Sequence, residues 1–222
     1  MEWKIETSPA YSLLKVKLSP KEEITAEAGA MVSIKGDFEV KTHTGGGLLT
    51  GLLRRTLAGE TIFLNTYIAK GDLELELAPS LPGDIKYLPV SDEGYIVQDS
   101  SYLAHHGDIN LTVAWRGLKG LLAEGELVWL KATGRGGIWI NSYGGIVEHE
   151  LKPGEKMIVD NFHFVALNEK AKWKVKKFGG WKTFLFGGEG IVMEVEGPAK
   201  LILQTRILPP LASALRRFLK TR

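Results

Sequence analysis

A Gly-Glu pair recurs three times along the chain, and this recurrence constrains the fold more than any other sequence feature. The pairs are Gly59-Glu60, Gly125-Glu126 and Gly188-Glu189, spaced 66 and 63 residues apart, and four uncharged residues follow each pair. Self-similarity at a nearly fixed period is the signature of repeated structural units. The sequence therefore predicts three similar internal repeats, for which these six residues serve as structural markers.

A second similarity joins the later parts of the chain. The stretch IVQDSSYLA at 96–104 resembles IVDNFHFVA at 158–166, at an offset of 62 residues. Because β proteins reuse turn and strand chemistry, chance resemblance is the alternative. We give the most weight to the three Gly-Glu positions.

Alternation of apolar and charged residues predicts β-strands through most of the chain. Leu14, Val16 and Leu18 alternate with Lys15 and Lys17, which is the period expected of a half-buried strand. The sequence thus predicts an all-β fold, similar to a double-stranded β-helix or sandwich. Residues 1–208 are expected to form a single all-β domain of three similar repeats.

Three glycine-containing segments predict interruptions between strands. Gly36-Asp37 predicts a hairpin turn, and Lys70–Asp72 predicts a break between two paired strands. The GRGG segment at 134–137 predicts a turn that requires positive φ or a close backbone approach.

The last fourteen residues, 209–222, predict an amphipathic basic helix. Leu211, Leu215, Phe218 and Leu219 have the spacing of one apolar helical face. The cations near the C-terminal end are Arg216, Arg217, Lys220 and Arg222. This face is expected to dock on the body or on a neighbouring subunit, and binding at a membrane interface is the alternative.

Motifs for catalysis, metals and cofactors are missing from the linear sequence. The chain has no cysteine, and its five histidines lack the His-x-His spacing of a cupin-type metal site. Gly46 and Gly51 have the spacing of a phosphate-binding loop, but Leu52 and Leu53 follow where lysine and Ser/Thr belong. We therefore expect no enzyme activity, no metal and no cofactor.

A loop rich in glycine, bulky apolar residues and cations precedes each Gly-Glu pair. If the three units are equivalent, these loops lie at one end of the molecule and form one apolar surface with a basic rim. Such clustered exposed apolar residues mark interaction sites. The alternative is that the apolar side chains fold back into the core. The candidate contact residues for a partner or membrane are Leu48, Leu49, Leu52, Leu53, Arg54, Arg55, Leu118, Lys119, Leu121, Leu122, Phe178, Trp181, Lys182 and Phe184.

Charge and hydropathy constrain partners and location. The net charge of +2 does not by itself indicate nucleic-acid binding, and the alternating lysines of 172–177 predict a solvated strand face. Abundant lysine and glutamate with two glutamines fit a thermophile-like composition. The sequence contains no apolar run of roughly 20 residues, and the N-terminal stretch does not resemble a signal peptide. We expect a cytoplasmic protein, with peripheral membrane attachment as an open alternative.

Several motifs resemble one known family when they are taken in order. They are AEAGAMVSIKGDFEVKT, GGGLLTGLLRRTLAGETIFLNTYIAKG, LPGDI, SSYLAH, GRGGIWINSYG and EGPAKLILQTR. From about Ile24 to Arg206, the chain resembles the prokaryotic branch of the altered-inheritance-of-mitochondria family, formerly a domain of unknown function. The resemblance implies a fold like that of the tryptophan RNA-binding attenuation protein, and it implies oligomerisation. It supplies no catalytic residues.

These expectations combine into one functional hypothesis. The chain is expected to be a non-catalytic, homo-oligomeric binding or scaffold protein that contacts a protein partner or a membrane surface. Nucleic acid is not the expected partner, and the sequence identifies no small-molecule ligand. The alternative is a small-ligand or RNA-binding module, which a polar tryptophan-lined pocket or a continuous basic groove would indicate.

Overall fold

The computed structural model describes residues 1–44, 63–116, 128–178, 191–216 and 218–219. These residues form antiparallel strands, two short 3-10 turns at 99–101 and 161–163, and one helix, α1 (Leu208–Arg216). The predicted all-β fold with a short C-terminal helix is confirmed. The strands are β1 (Glu2–Glu6), β2 (Leu13–Leu18), β3 (Glu23–Glu27), β4 (Met31–Thr44), β5 (Phe63–Leu77), β6 (Ile85–Val90), β7 (Tyr95–Gln98), β8 (Tyr102–Arg116), β9 (Val128–Asn141), β10 (Ile146–Leu151), β11 (Lys156–Asp160), β12 (Phe164–Asn168), β13 (Lys172–Lys177), β14 (Ile191–Glu196) and β15 (Ala199–Gln204).

Two sheets contain all of these strands. The larger sheet has twelve strands and runs in the order β1-β2-β5-β3-β8-β9-β7-β12-β15-β10, with β4 added to β5 and β6 added to β9. The smaller sheet has the order β11-β14-β13. Neighbouring strands of the larger sheet are often distant in sequence, so strand pairing joins the N-terminal and C-terminal parts of the chain in one sheet.

The same pattern of pairing occurs three times along the chain. Strands β2, β3 and β4 all pair with β5, and strands β6, β7 and β8 all pair with β9. In the last third the partner is divided: β11 and β13 pair with β14, while β10 and β12 pair with β15. The two 3-10 turns fall within the similar stretches 96–104 and 158–166. Descent from one repeated unit remains a prediction from the sequence.

The predicted turn at Gly36-Asp37 and the predicted break at Lys70–Asp72 are both wrong. Both segments lie inside the continuous strands β4 and β5, where they face each other at a shift in register. Gly36 has a φ of +125°, and a Cβ there would lie 2.3 Å from the Asp72 carbonyl oxygen. The turn-type residues therefore bend a long hairpin instead of ending its strands.

The GRGG segment also lies within a strand, so the predicted turn is wrong. The predicted positive φ values and close backbone approach at this segment are confirmed. Gly134 and Gly136 have φ values of +121° and +151°, although β9 continues through both. A Cβ on Gly136 would lie 2.1 Å from the carbonyl oxygen of His106 on the paired strand β8. The glycines permit close approach of two bent strands.

Three clusters of buried apolar side chains fill the interior. The first contains Leu14 and Trp139, and the second contains Tyr102 and Ile138. The third is built around Trp129, which packs between strands of both sheets. Alternating apolar residues supply each cluster, as the sequence pattern predicts.

Candidate interaction surface

The three predicted contact loops each join two paired antiparallel strands. The pairs β4–β5, β8–β9 and β13–β14 end at Thr44 opposite Phe63, Arg116 opposite Val128 and Lys177 opposite Ile191. Partly buried Phe178, directly after β13, is the one candidate contact residue that the structure describes. Outside the described residues lie Leu48, Leu49, Leu52, Leu53, Arg54, Arg55, Leu118, Lys119, Leu121, Leu122, Trp181, Lys182 and Phe184, together with the markers Gly59, Glu60, Gly125, Glu126, Gly188 and Glu189.

The strands next to the three loops are paired in an equivalent way. Close to each base, the second strand of the pair contacts the C-terminal part of a short strand. These contacts join β5 to β3, β9 to β7 and β14 to β11. The register pairs are Leu64 with Glu27, Trp129 with Gln98, and Val192 with Asp160.

Helix α1 carries an apolar face that the rest of the described chain leaves uncovered. It begins at Leu208, one residue before the predicted start, and prolines 209 and 210 occupy its first turn, where a missing amide hydrogen is tolerated. None of its residues is buried, and Leu211 and Leu215 are 37% and 49% exposed. The expected docking of this face on its own chain is therefore not observed. Among the described residues, no helix has the length and apolar character needed to cross a membrane.

The side chains just beyond α1 extend this apolar surface. Phe218 and Leu219 are 85% and 68% exposed, which is unusual for large apolar residues. The last acidic residue of the chain is Glu196, and six cations follow it. The C-terminal segment is therefore both apolar and uniformly basic.

Three lysines of β13, Lys172, Lys174 and Lys176, form ion pairs with carboxylates of the neighbouring strand β14. Lys174 lies 2.9 Å from Glu194, and Lys176 also pairs with that carboxylate. Hydrogen bonds from Lys176 and then Lys174 lower the pKa of Glu194 to about 2. Lys172 and Lys156 flank Glu196 at 3.8 and 3.5 Å. This face therefore alternates in charge and does not form a continuous basic groove.

We expect the double variant Glu194→Gln and Glu196→Gln to bind heparin more tightly than the wild type. The substitutions leave the lysines of β13 without their carboxylate partners, so their charges become available to a polyanion. Salt-gradient elution from heparin measures the change. The matched control is Glu2→Gln with Glu23→Gln, which changes the net charge equally at two exposed positions that form no ion pair within the described part of the chain. Equal retention of both variants would contradict the expectation.

The histidines near the centre of the large sheet contact tyrosine side chains. His105 is buried and its Nδ1 lies 2.6 Å from the Tyr102 hydroxyl, while His106 Nε2 lies 2.9 Å from the Tyr87 hydroxyl. Burial lowers the pKa of His106 and raises that of Tyr87. In the described parts of the chain, no three His, Asp or Glu side chains converge on a point that would hold a metal ion.

A partly exposed aromatic patch surrounds Tyr87, and no sequence motif predicts it. Trp3 is 39% exposed, and its ring centroid lies 4.8 Å from that of Tyr87 and 5.6 Å from that of Trp139. The His106 ring also stacks with that of Tyr87, with 5.8 Å between the ring centroids. The four rings come from β1, β6, β8 and β9, so only the sheet brings them together.

Sequence motifs also do not identify Glu27, whose partly buried carboxylate lies at the end of β3. Burial, reinforced by the nearby negative charge of Asp99, raises the pKa of Glu27 to about 7. The hydroxyl of Tyr102 lies 3.4 Å from the Thr25 carbonyl oxygen on the same strand. Burial and the charge of Glu27 raise the pKa of Tyr102 well above its ordinary value. Charge on Glu27 is therefore costly in the folded protein.

One family model and two Streptococcus pyogenes proteins match most of this chain. Residues 3–206 match the family described as Mitochondrial biogenesis AIM24. An uncharacterised protein of Streptococcus pyogenes serotype M6 is 27% identical over 229 residues, which covers 100% of this chain and 92% of that protein. The X-ray crystal structure of a Streptococcus pyogenes protein superposes with a TM-score of 0.81 and 27% identity, and the match covers 98% of this chain and 99% of that chain. The predicted family resemblance is confirmed, and the chain belongs to the Mitochondrial biogenesis AIM24 family.

Proposed function

We propose that this protein is a non-catalytic scaffold that self-associates and attaches to an anionic lipid surface through its C-terminal segment. The observation that carries the proposal is the uncovered apolar face of α1, which lies in a stretch of chain that contains cations but no acidic residue. Amphipathic helices with cations beside an apolar face lie in the interface of anionic membranes. The proposal therefore chooses a lipid surface over a protein partner.

Charge supports this choice. The cations after Glu196 comprise Lys200, Arg206, Arg216, Arg217, Lys220 and Arg222. A basic residue near an anionic leaflet contributes on the order of 1 kcal/mol to binding. A protein partner would have to be strongly acidic around an apolar groove, whereas an anionic leaflet provides both features.

Self-association would strengthen a contact that is weak in a single chain. The helix has nine residues, so one copy buries little apolar surface in a lipid interface. Several copies held on one scaffold bind together, because each further contact is effectively intramolecular. The three glycine-, leucine- and cation-containing loops are proposed as additional contacts at the same surface.

The proposed absence of catalysis has support from the contacts of the histidines. Tyr102 contacts His105, Tyr87 contacts His106, and the Gln204 carbonyl oxygen lies 2.6 Å from His163 Nδ1. In each of these three histidines one ring nitrogen takes part in a hydrogen bond within the fold, which is the common role of partly buried polar groups.

A small-ligand module is the second candidate, and the aromatic patch around Trp3 favours it. An exposed tryptophan beside Tyr87 and His106 offers a stacking platform with a polar edge. The ion-paired lysines of β13 give no matching support to the RNA alternative.

Vesicle co-sedimentation tests the lipid proposal. We expect the full chain to sediment with vesicles of phosphatidylserine and phosphatidylcholine, but not with phosphatidylcholine alone, and to be released by high salt. A chain ending at Leu208 is expected to remain in solution. Failure of the full chain to bind the anionic vesicles would contradict the proposal and favour a protein partner.

A matched pair of helix variants separates apolar burial from charge. Leu215→Asp should weaken vesicle binding at least about tenfold, because it removes roughly 2 kcal/mol of apolar burial and adds a negative charge. Ser213→Asp adds the same charge on the opposite side of α1 and should weaken binding less. Equal losses in the two variants would show that charge alone governs binding.

A further inference from the structure

Short cross-connections join successive parts of the repeated pairing pattern. Strand β3 pairs with β8 through Thr25 opposite His105 and Ala26 opposite Ala104. Strand β7 pairs with β12 in the same antiparallel manner, with Val97 opposite Ala166. Each connection attaches a short strand of one third of the chain to a strand of the next third, β8 or β12.

A register shift marks the same position in three strands. It occurs between Met31 and Ser33 in β4, between Tyr102 and Ala104 in β8, and between Phe164 and Ala166 in β12. In β8 and β12, the alanine after the shift is the residue that takes part in the cross-connection. Ser33 has the equivalent place in β4.

The short strands can be aligned in the same way. Ala26 and Val97 make the cross-connections, and each stands one residue before the last residue of its strand, β3 or β7. The equivalent residue of the third short strand, β11, is Val159. The series would thus be completed by pairing β11 with β4.

That third pairing is missing within the described chain, and both strand edges are open. Strand β4 pairs with β5 alone, and β11 pairs with β14 alone, among the residues that the structure describes. Val32 and Ile158 are 56% and 50% exposed, whereas their equivalents at the completed connections, Leu103, Val165 and Ile96, are at most 5% exposed. An open, apolar strand edge is a template for pairing with another chain.

We propose that β11 of one copy pairs with β4 of a second copy, in antiparallel register with Val159 opposite Ser33 and Ile158 opposite Ile34. This inference rests on the self-association in the proposed function and specifies the surface that mediates it. A second copy is the occupant because the edge that fits β11 in the series is β4 of this same sequence. The register places two isoleucines opposite each other and sets Lys156 against Gly36, so no like charges oppose each other.

The proposed pairing has a consequence for symmetry. Each copy carries both edges, so a twofold arrangement of two copies satisfies all four edges at once. A closed dimer is the smallest assembly that leaves none of these edges exposed, and it is the assembly that we expect.

A charged residue introduced on β11 tests the proposed pairing of β11 with β4. Ile158→Lys should convert the dimer to a monomer in sedimentation velocity at micromolar concentration, because a lysine on an edge strand opposes pairing. The matched control is Val147→Lys on β10, which substitutes another exposed apolar residue and should leave the dimer intact. A monomeric wild type, or a dimer that survives Ile158→Lys, would overturn the proposal.

Engineered cysteines test the register, since the native chain contains none. Mixing Ile34→Cys with Ile158→Cys under oxidation should give a disulfide-linked dimer, whereas Ile34→Cys mixed with Tyr11→Cys should not. The double variant Ile34→Cys and Ile158→Cys should also give linked dimers. A linked monomer from the double variant would show that the edges close within one chain and would overturn the proposal.

The vesicle assay distinguishes failure of the edge pairing from failure of the proposed lipid attachment. A folded Ile158→Lys monomer that still binds anionic vesicles, though less tightly, supports the edge as the self-association surface and leaves lipid attachment in place. A wild-type dimer with the expected disulfide that binds no vesicles supports the edge pairing and removes the lipid proposal.

Discussion

Replacing Trp129 by alanine is expected to lower the free energy of unfolding by about 4 kcal/mol. The side chain is fully buried, and its ring centroid lies 4.5 Å from that of Trp115, 4.7 Å from that of Phe164 and 5.0 Å from that of Trp173. Alanine removes contacts to three other rings and leaves a cavity that this rigid sheet region fills poorly. Urea unfolding monitored by circular dichroism measures the loss.

Two further variants separate packing from other effects at this position. Trp129→Phe keeps an aromatic ring and removes the indole N–H, which has no hydrogen-bond partner among the described residues, so it should cost clearly less than alanine. Trp3→Ala removes a partly exposed tryptophan and should also cost less. If Trp129→Ala cost no more than Trp3→Ala, the aromatic cluster would not be the stabilising centre inferred from its packing.

Replacing Glu27 by glutamine is expected to stabilise the protein at pH 8.5 by about 3 kcal/mol and to have little effect near pH 4.5. Burial and Asp99 raise the pKa of Glu27 from its usual 4.5 to about 7. Between these two values the unfolded chain loses the proton while the folded chain keeps it. The folded state therefore binds more protons, and stability falls as the pH rises through this range. Glutamine abolishes that loss because it does not ionise.

Unfolding curves across this pH range check the sign of the effect. The difference between Glu27→Gln and the wild type should grow from pH 4.5 to pH 7 and then level off. Glu23→Gln, an exposed position at the other end of β3, is the matched control and should reproduce the wild-type pH dependence. A variant less stable than the wild type at pH 8.5 would show that the ionised carboxylate makes a favourable contact.

The sequence predicted strands well where apolar and charged residues alternate, and it failed where glycine lies inside a long strand. Leu14, Val16 and Leu18 are buried as their spacing requires. Gly36-Asp37 has the composition of a turn, yet β4 continues through it because its partner β5 bends at the same level. Local composition cannot distinguish the end of a strand from a bend that a paired strand supports.

The candidate sites also divide into those that local sequence predicts and those that depend on contacts between distant strands. The C-terminal helix could be predicted because its apolar spacing is local, and its uncovered face became evident in the structure. The aromatic patch around Tyr87 and the raised pKa of Glu27 escaped prediction, since each depends on groups contributed by different strands. Of the contact loops predicted from composition, the described structure includes one candidate side chain, Phe178.

The sequence by itself determined the all-β class, the family and the helix at the C-terminal end, because alternation, motifs and helical spacing are properties of neighbouring residues. Only the tertiary structure decided which strands pair, which edges stay open and which carboxylate is buried. Those outcomes depend on contacts between residues far apart in the chain, such as Thr25 with His105 or β10 with β15. The three Gly-Glu pairs that first suggested repetition lie outside the described residues, while the strands on either side of them carry the threefold pattern of pairing.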